Sequence, residues 1–288
     1  MQVFITGGSG YLGQATIRAL TAEGHDVVAL ARSESAARVV ADAGASAVQG
    51  ELRDLDVLRE AAERADATIQ LAQEWSEAGA ELDRAASHAM LDGAGERPYV
   101  HTGGTWIWGS TDGVVTEDAP FAPPPLMVWQ RDSYRRVLEH AEQGRHPVLV
   151  LPGVVWGHRQ GLLQSLFVNP ARERAVVHYI GNGAGHCALV HVDDIARLYV
   201  AALKAPAGGV YAGVGEERPT YRELAEALSQ AAGCPGRIAS ITLTQAHAEL
   251  GPVADAFVLD QQLTSARARA ELGWSPTARD VLAEIAAE

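Results

Sequence analysis

The chain opens with a short apolar strand that runs directly into a glycine-rich turn. Residues 1–5 are typical of a buried strand, residues 6–13 read Thr-Gly-Gly-Ser-Gly-Tyr-Leu-Gly, and an apolar helical pattern follows. Gly7 suits a tight turn, Gly10 lets the backbone approach a pyrophosphate, and Gly13 permits close packing of the helix on the sheet. The helix N-terminus offers N–H groups to the phosphates. A glycine triplet alone is weak evidence, but between a strand and a helix it predicts a dinucleotide-binding turn.

Charge and composition exclude several classes of protein. The 288 residues are 47% hydrophobic and carry a net charge of −13, which argues against nucleic acid or an anionic membrane as a partner. We find no apolar run near the roughly 18 residues that span a bilayer, and no secretory leader before the first strand. Cys187 and Cys234 are therefore expected as free thiols in a soluble, cytoplasmic protein.

Strand and helix patterns alternate through the first half of the chain. This alternation predicts an α/β fold, a Rossmann-type doubly wound parallel sheet with a smaller C-terminal substrate-binding lobe. The predicted nucleotide-binding domain comprises residues 1–152 plus 188–205, and the lobe comprises residues 153–187 and 206–288. Further strands are predicted at residues 27–31, 46–49, 67–71, 99–102 and 148–151, with helices near Tyr11, Ser35, Leu55, Ala80 and Asp132.

Three segments together resemble a known family. The turn at 6–13, the run His191-Val192-Asp193-Asp194 before a helical pattern at 195–203, and the run Glu-Leu-Gly-Trp-Ser-Pro at 271–276 are similar to the extended and atypical short-chain dehydrogenases/reductases, the NAD(P)-dependent epimerase/dehydratase relatives. The resemblance covers almost the whole chain. It implies an NAD(P) cofactor and hydride-transfer chemistry.

The end of the second predicted strand bears on the choice of cofactor. A carboxylate there would bind the ribose 2′-hydroxyl of NAD, whereas an arginine accommodates the 2′-phosphate of NADP. The sequence has Ala31-Arg32-Ser33, so NADP(H) is favoured over NAD(H), with a solvated surface arginine as the alternative. Including the positions where the family contacts adenine and ribose, the predicted cofactor-binding residues are Gly7, Ser9, Gly10, Tyr11, Leu12, Gly13, Arg32, Ser33, Glu51, Leu52, Leu71, Ala72, Gln73, Thr102, Pro152 and Val155.

The family's catalytic residues are predicted to be missing. The resemblance implies a Ser or Thr, a Tyr and a Lys, the last two spaced Tyr-x-x-x-Lys on one helix face. The one lysine, Lys204, lies far from the matching helix. An ungapped match places Trp129 at the tyrosine, Ser133 at the lysine and Gly104 at the serine. An indole N–H is no usable acid near neutral pH, and a serine carries no charge that would lower a neighbour's pKa.

Replacement catalysts are predicted among nearby residues. Tyr134 is one candidate but needs a shifted helix register, and its alternative is a packing role. Thr105 lies beside the vacant serine position and can hydrogen-bond a carbonyl. His158 follows a loop that passes the nicotinamide in the family, and its alternative is an ordinary surface histidine.

No metal site is predicted. His191, Asp193 and Asp194 would suggest one, but acids that open a helix are expected to cap its N–H groups.

Aromatic residues indicate the kind of substrate. Four of the six tryptophans fall on segments expected to converge near the nicotinamide, and about half of the four are expected to fill the core. An apolar, aromatic lining suits a hydrophobic small molecule. The predicted substrate-binding residues are Gly104, Trp106, Trp108, Trp129, Trp156 and His186.

These observations predict an NADP(H)-dependent oxidoreductase, acting as a reductase on a carbonyl or imine of a hydrophobic small molecule. Two alternatives stay open: a redox-neutral isomerase, cyclase or epimerase that retains NAD(P), and a non-catalytic NADP(H)-binding sensor. A monomer or homodimer is expected.

Overall fold

Seven parallel strands form the central sheet of the computed structural model, which describes residues 1–74 and 78–288. The strands in chain order are β1 (Gln2–Thr6), β2 (Asp26–Ala31), β3 (Ser46–Gln49), β4 (Ala67–Gln70), β5 (Pro98–Thr102), β6 (Val114–Val115), β7 (His146–Pro152), β8 (Val154–Trp156), β9 (Val177–Ile180), β10 (Leu189–His191), β11 (Val210–Gly213), β12 (Ile238–Ile241) and β13 (Gln262–Leu263). The order in the sheet is β11-β7-β5-β4-β1-β2-β3. The predicted parallel, doubly wound fold is confirmed.

Helices cover both faces of this sheet. They are α1 (Tyr11–Ala22), α2 (Glu34–Asp42), α3 (Leu55–Arg64), α4 (Gly79–Ala94), α5 (Val128–Glu139), α6 (Gly161–Leu163), α7 (Asn169–Arg174), α8 (Val192–Ala202), α9 (Tyr221–Ala231), α10 (Leu243–Leu250), α11 (Ala266–Leu272) and α12 (Val281–Ala287). A π-helical turn, Gln164–Val168, joins α6 to α7, and short 3₁₀ helices cover Thr105–Trp108, Pro125–Met127, His140–Gln143 and Gly251–Asp255. Among the described residues, no helix has the length and apolar character needed to cross a membrane.

The six predicted strands form where the apolar runs predict them, as β1 to β5 and β7. β3 has the predicted bounds, β1 is shifted by one residue, β2 and β5 each begin one residue earlier, β4 ends one residue earlier, and β7 is longer at both ends. β11, the seventh strand of the sheet, was not predicted. The inner strands are buried on both faces, as in β4, all four residues of which are buried. One cluster of core residues lies between the sheet and α1 and α8, and another lies between the sheet and α3, α4 and α5.

The sheet has a topological switch point at β1. The chain goes from β1 outward through β2 to β3, then returns to place β4 on the other side of β1. Ligands of open α/β sheets bind at the carboxyl ends of the strands near such a point. The glycine-rich turn that follows β1 lies there.

Smaller elements lie beyond the carboxyl edge of the sheet. The pairs β8–β10, β9–β12 and β6–β13 are each two-stranded and parallel, and α9 and α12 pack against each other beside them. The predicted lobe boundary needs one correction, since β11 pairs with β7 in the central sheet although residues 206–288 were assigned to the lobe. The rest of the division into domains stays a prediction.

A buried carboxylate anchors the C-terminal segment to α8. Asp194 accepts hydrogen bonds from Thr277 N at 3.0 Å, from Thr277 Oγ1 at 2.8 Å and from Ala278 N at 3.0 Å, and it pairs with Arg197. The expectation that Asp194 caps α8 was therefore wrong, because these long-range donors use its oxygens. The helix is capped instead by His191, whose Nδ1 accepts the N–H of Asp193 at 3.2 Å.

The Asp194 anchor gives stability a defined dependence on pH. Burial alone would raise the pKa of Asp194, but the N–H groups of Ala278 and Thr277, the Thr277 hydroxyl and Arg197 hold it below its ordinary value of 3.8. The stabilisation is therefore fully present above that value and is lost as the pH falls through the lower folded pKa.

We expect Asp194→Asn to lower the free energy of unfolding at pH 7 by about 2 to 3 kcal/mol, since bonds to a charged acceptor are lost. The deficit should shrink below pH ~4. Denaturant melts at several pH values test this. Asp56→Asn, which changes an exposed acid in the first turn of α3, is the matched control and should cost under about 1 kcal/mol. Equal stability of Asp194→Asn and the parent chain would contradict the anchor.

Candidate functional site

Three glycines of the glycine-rich turn differ in the space around them. Gly7 has φ +74°, and a Cβ there would lie 2.7 Å from Ala72 N. A Cβ on Gly13 would lie 2.1 Å from the carbonyl oxygen of Gly7. A Cβ on Gly10 would have one neighbour within 4 Å among the described residues, the same carbonyl oxygen of Gly7, at 3.3 Å. Gly7 and Gly13 are thus needed for the turn to pack, whereas Gly10 is open on the side where a pyrophosphate would approach.

The N-terminus of α1 presents backbone N–H groups at this opening. Gly10 is the N-cap residue and no side chain among the described residues caps the helix. The N–H of Gly10 donates to Gly7 O at 3.0 Å, and Gln14 Nε2 donates to Ser9 O at 3.1 Å, so the turn is braced from within. The N–H groups of Tyr11, Leu12 and Gly13 occupy the first helical turn, where anions bind.

The predicted adenosine end lies at the carboxyl ends of β2 and β3. Arg32 is exposed, and nothing in the described part of the chain hydrogen-bonds or ion-pairs with its guanidinium. Ser33 caps α2: its Oγ accepts Ala36 N at 3.2 Å and lies 2.9 Å from Ser35 Oγ. Arg32 is therefore free to bind a ligand, while the Ser33 hydroxyl already has a structural role.

The other predicted cofactor positions line the same edge of the sheet. Glu51 is exposed and donates its N–H to Asp54 Oδ2 at 2.8 Å, and Leu52 packs on the core. Leu71 N donates to Thr6 O at 3.3 Å. Ala72 and Gln73 follow β4, Thr102 ends β5, Pro152 ends β7, and Val155 lies in β8. Apart from Val155, which is the middle residue of β8 outside the central sheet, these positions lie at or just after the ends of strands in that sheet.

At the predicted nicotinamide end, the floor of the cleft is the backbone at Gly104, which has open space beside it. Among the described residues, the nearest atom to a Cβ on Gly104 would be Pro152 O, at 4.0 Å. Trp106 and Trp129 are half-buried, so they are available to a ligand. Trp108 and Trp156 are each 2% exposed; the Trp108 indole donates to Ala119 O at 3.2 Å, and Trp156 packs on the His191 ring. Two of the four tryptophans are therefore core residues rather than pocket walls.

Tyr134 is buried behind the floor of this region. It is 1% exposed, and its hydroxyl would lie 2.4 Å from a Cβ on Gly103. Its ring meets those of His101 and Phe121 edge-on. Burial, and next the Asp83 carboxylate, raise the pKa of Tyr134 well above its ordinary value. A group that touches a ligand must be reachable from the cleft, so this position argues against Tyr134 as the proton donor.

A buried polar network includes Ser133, the residue predicted at the position of the family's lysine. Asp83, on α4, accepts Ser133 Oγ at 2.7 Å and Gln70 Nε2 at 2.9 Å. The Tyr99 hydroxyl bonds to Gln70 Oε1 and lies 3.0 Å from His101 Nδ1. The hydroxyl of Ser133 is thus used for a structural bond. Sequence reasoning missed this network, although an acid on the apolar face of α4 was a visible signal.

The remaining predicted catalysts have separate surroundings. Thr105 is buried, and its carbonyl accepts Gln261 Nε2 at 2.7 Å. His186 Nδ1 lies 2.8 Å from Asp260 Oδ1. His158 Nε2 lies 2.9 Å from Asp193 Oδ2. Among the described residues, no hydrogen bond links the side chains of Tyr134, Thr105 and His158, and their catalytic roles stay a prediction.

Comparison with known proteins gives the chain its family. The profile of the NAD dependent epimerase/dehydratase family matches residues 3–106. An uncharacterised protein of Schizosaccharomyces pombe is 31% identical over 297 aligned positions, which cover 100% of this chain and 99% of the relative. The chain belongs to the NAD-dependent epimerase/dehydratase family. It is an enzyme of the NAD(P)-dependent oxidoreductase type.

More distant relatives agree with this membership. A 4-hydroxy-2-methyl-3-oxo-4-farnesyl-3,4-dihydroquinoline-1-oxide ketoreductase of Stigmatella aurantiaca is 27% identical, with 86% of this chain and 78% of the relative aligned. The crystal structure of DesIV, a dTDP-glucose 4,6-dehydratase of Streptomyces venezuelae, has a TM-score of 0.82 at 22% identity, covering 100% of this chain and 96% of that one. The human epimerase family protein SDR39U1, solved with NADPH, has a TM-score of 0.77 at 21% identity over the full length of both chains. These two structures show the shared fold.

We expect Gly10→Val to abolish cofactor binding in a folded protein. The backbone of Gly10, φ −78° and ψ 172°, is open to any residue, and the added side chain would occupy the space next to the phosphates. Circular dichroism and a fluorescence titration with NADPH on one sample measure both properties. Gly13→Ala is the contrasting variant and should lose stability because its methyl group would overlap Gly7 O. Wild-type affinity in Gly10→Val would remove the turn from the binding site.

Proposed function

We propose that the chain is an NADP(H)-dependent reductase of a carbonyl or imine in a hydrophobic small molecule, working without the Ser-Tyr-Lys triad of its family. One observation carries this proposal. The nucleotide turn is complete, yet the matched tyrosine and lysine positions hold Trp129 and Ser133, and the hydroxyl of Ser133 bonds to Asp83 at 2.7 Å. Hydride transfer needs the cofactor held in place, whereas the acid is a separate part of the reaction.

The preference for NADP(H) is supported by the charge at the end of β2. Arg32 has no partner among the described residues and stands next to the N-terminus of α2, so a 2′-phosphate would meet a cation and a positive helix end together. The exposed carboxylate at this end, Glu34, is engaged with Arg38 at 3.4 Å. The structure of human SDR39U1 with NADPH agrees with this choice in a protein of the same fold.

The nicotinamide would lie over the open backbone at Gly104. When bound, NADPH would supply the hydride that reduces the carbonyl or imine carbon, and the oxygen or nitrogen of that group would take up a proton. Trp106 and Trp129 supply half-buried indole surface for an apolar substrate. The ketoreductase of Stigmatella aurantiaca, whose substrate carries a farnesyl group, supports the hydrophobic class.

The proton would come from water or from the substrate itself. Tyr134 and Thr105 are both buried at 1% exposure, so neither hydroxyl reaches an open cleft. An imine that is already protonated needs less help from an acid than a ketone does. This makes cyclic or conjugated imines a priority class in a substrate screen.

We expect Arg32→Ala to weaken NADPH binding by about 10- to 150-fold, since a charge-assisted contact to phosphate contributes about 1.5 to 3 kcal/mol. NADH binding should change little, because NADH lacks that phosphate. Arg38→Ala is the matched control, an exposed arginine on the neighbouring helix α2 that is already paired with Glu34. Parallel titrations of the three proteins with both cofactors decide the point. An unchanged ratio of the two affinities in Arg32→Ala would show that another residue selects the cofactor.

The reaction is tested by following NADPH absorbance in the presence of aromatic ketones and imines. Net oxidation of NADPH supports a reductase; product without net oxidation supports the redox-neutral alternative, and no turnover with tight binding supports a sensor.

We expect Trp129→Phe to keep most of the activity because it preserves an apolar ring. Trp129→Tyr should give no large gain, since without a lysine its phenol keeps a pKa of about 10. Inactive Trp129→Phe would show that the indole N–H makes a required hydrogen bond, and a strongly activated Trp129→Tyr would show that a phenol can act here without a lysine; either result would contradict the role of Trp129 as a pocket wall.

A further inference from the structure

We propose that His158, His191 and Asp193 form a binding site for a zinc-like divalent cation, which fastens the loop at residues 157–161 to the N-terminus of α8. Ligand atoms from the three residues all lie within 4.8 Å of one another. The sequence places His191 and Asp193 two positions apart, where the acids are expected to cap the helix, and His158 joins them only through the fold. Asp194, the other acid of that motif, faces Thr277 and Ala278 and takes no part.

The geometry suits a metal with nitrogen and oxygen ligands. His158 Nε2 lies 2.9 Å from Asp193 Oδ2, and His191 Nδ1 lies 3.7 Å from the same oxygen. The two imidazole rings meet edge-on, with centroids 5.4 Å apart. Two imidazoles and one carboxylate are a zinc ligand set, and three protein ligands leave a fourth position for water or another ligand. His158 and Asp193 are half-exposed, so that position is open to solvent.

His191 is held in an orientation that keeps Nδ1 unprotonated and next to the Asp193 carboxylate. The Trp156 ring packs on it edge-on at 4.7 Å, and the backbone of Gly157 lies so close that a Cβ there would be 2.5 Å from His191 Nε2. Because the N–H of Asp193 donates to His191 Nδ1, that nitrogen carries a lone pair and no hydrogen. A cation at this place would take the Nδ1 lone pair in exchange for the 3.2 Å hydrogen bond from Asp193 N, and the Asp193 carboxylate, 3.7 Å away, would be its second ligand.

The loop that carries His158 adopts a conformation with an energetic cost. His158 and Arg159 both have positive φ, +56° and +55°, between Gly157 at +123° and Gly161 at +83°. Two successive non-glycine residues in the left-handed region are unfavourable, and such strain is often associated with functional sites. The hydroxyl of Tyr11 donates to Gly157 O at 2.7 Å and helps to hold the loop. This conformation brings His158 to Asp193.

A simple ion pair between one histidine and one carboxylate would not account for the third residue of this cluster. The protein has other histidine–carboxylate pairs, His186 with Asp260 and His247 with Asp255, each at 2.8 Å. Within residues 1–74 and 78–288, only the cluster at His158 adds a third ligand. A cation at a helix N-terminus is disfavoured by the dipole, but the Asp193 carboxylate lies in that first turn and offsets it.

The test uses the full chain, freed of metal with a chelator and titrated with Zn²⁺ by calorimetry and with Co²⁺ by visible absorption. We expect one cation per chain, together with a rise in the melting temperature when Zn²⁺ is added. His158→Gln and Asp193→Asn should each weaken binding at least about 100-fold, because each removes a ligand. His247→Gln is the matched control, since it removes a histidine that is paired with one carboxylate, and it should bind like the parent chain.

Several outcomes would overturn the site. They are absence of saturable binding by the parent chain, unchanged affinity in His158→Gln and Asp193→Asn, or an equal loss in His247→Gln. Thermal melts without metal show that the variants are folded, and the exposure of His158 makes its replacement mild. NADPH affinity, measured on the same samples, keeps the result separate from the proposed reductase, because cation binding does not require hydride transfer.

Discussion

The structure depends on the close approach of α1 to the turn that follows β1. At Gly13 the helix comes so near to the carbonyl of Gly7 that a methyl group would overlap it. This contact fixes the direction of α1, and with it the place where the first free N–H groups of the helix point. Because β1 lies between β2 and β4, the same contact aligns that helix end with the switch point of the sheet. The contact therefore positions the N–H groups that are predicted to bind the cofactor's phosphates.

A second constraint is the burial of the Asp83 carboxylate. A buried charge requires hydrogen-bond donors, and here they come from Gln70 on β4 and Ser133 on α5. The contact draws the face of α5 that carries Ser133 and Tyr134 towards the core. A lysine at position 133 would pair with Asp83 and lose its influence on a neighbouring phenol, so the carboxylate and the family's catalytic pair are poorly compatible at this place.

The sequence predicted those elements of the fold whose signal is local. The six predicted strands and the glycine-rich turn lie within a residue or two of their predicted positions, because apolar periodicity and glycine spacing act over short distances. The face that each residue presents was harder to predict. Trp106 and Trp108 lie in one 3₁₀ turn, yet one is half-buried and the other is core. Likewise, Asp194 was assigned to helix capping because its partners, Thr277 and Ala278, lie more than 80 positions away.

The cluster at His158 shows why the site could not be completed from the sequence. His158 and Asp193 meet across 35 positions, through a loop whose left-handed backbone no composition rule anticipates at a histidine. The same loop is bonded to Tyr11, the first residue of α1. A group that orders the loop would therefore also restrain the side chain next to Gly10, where the phosphates are expected.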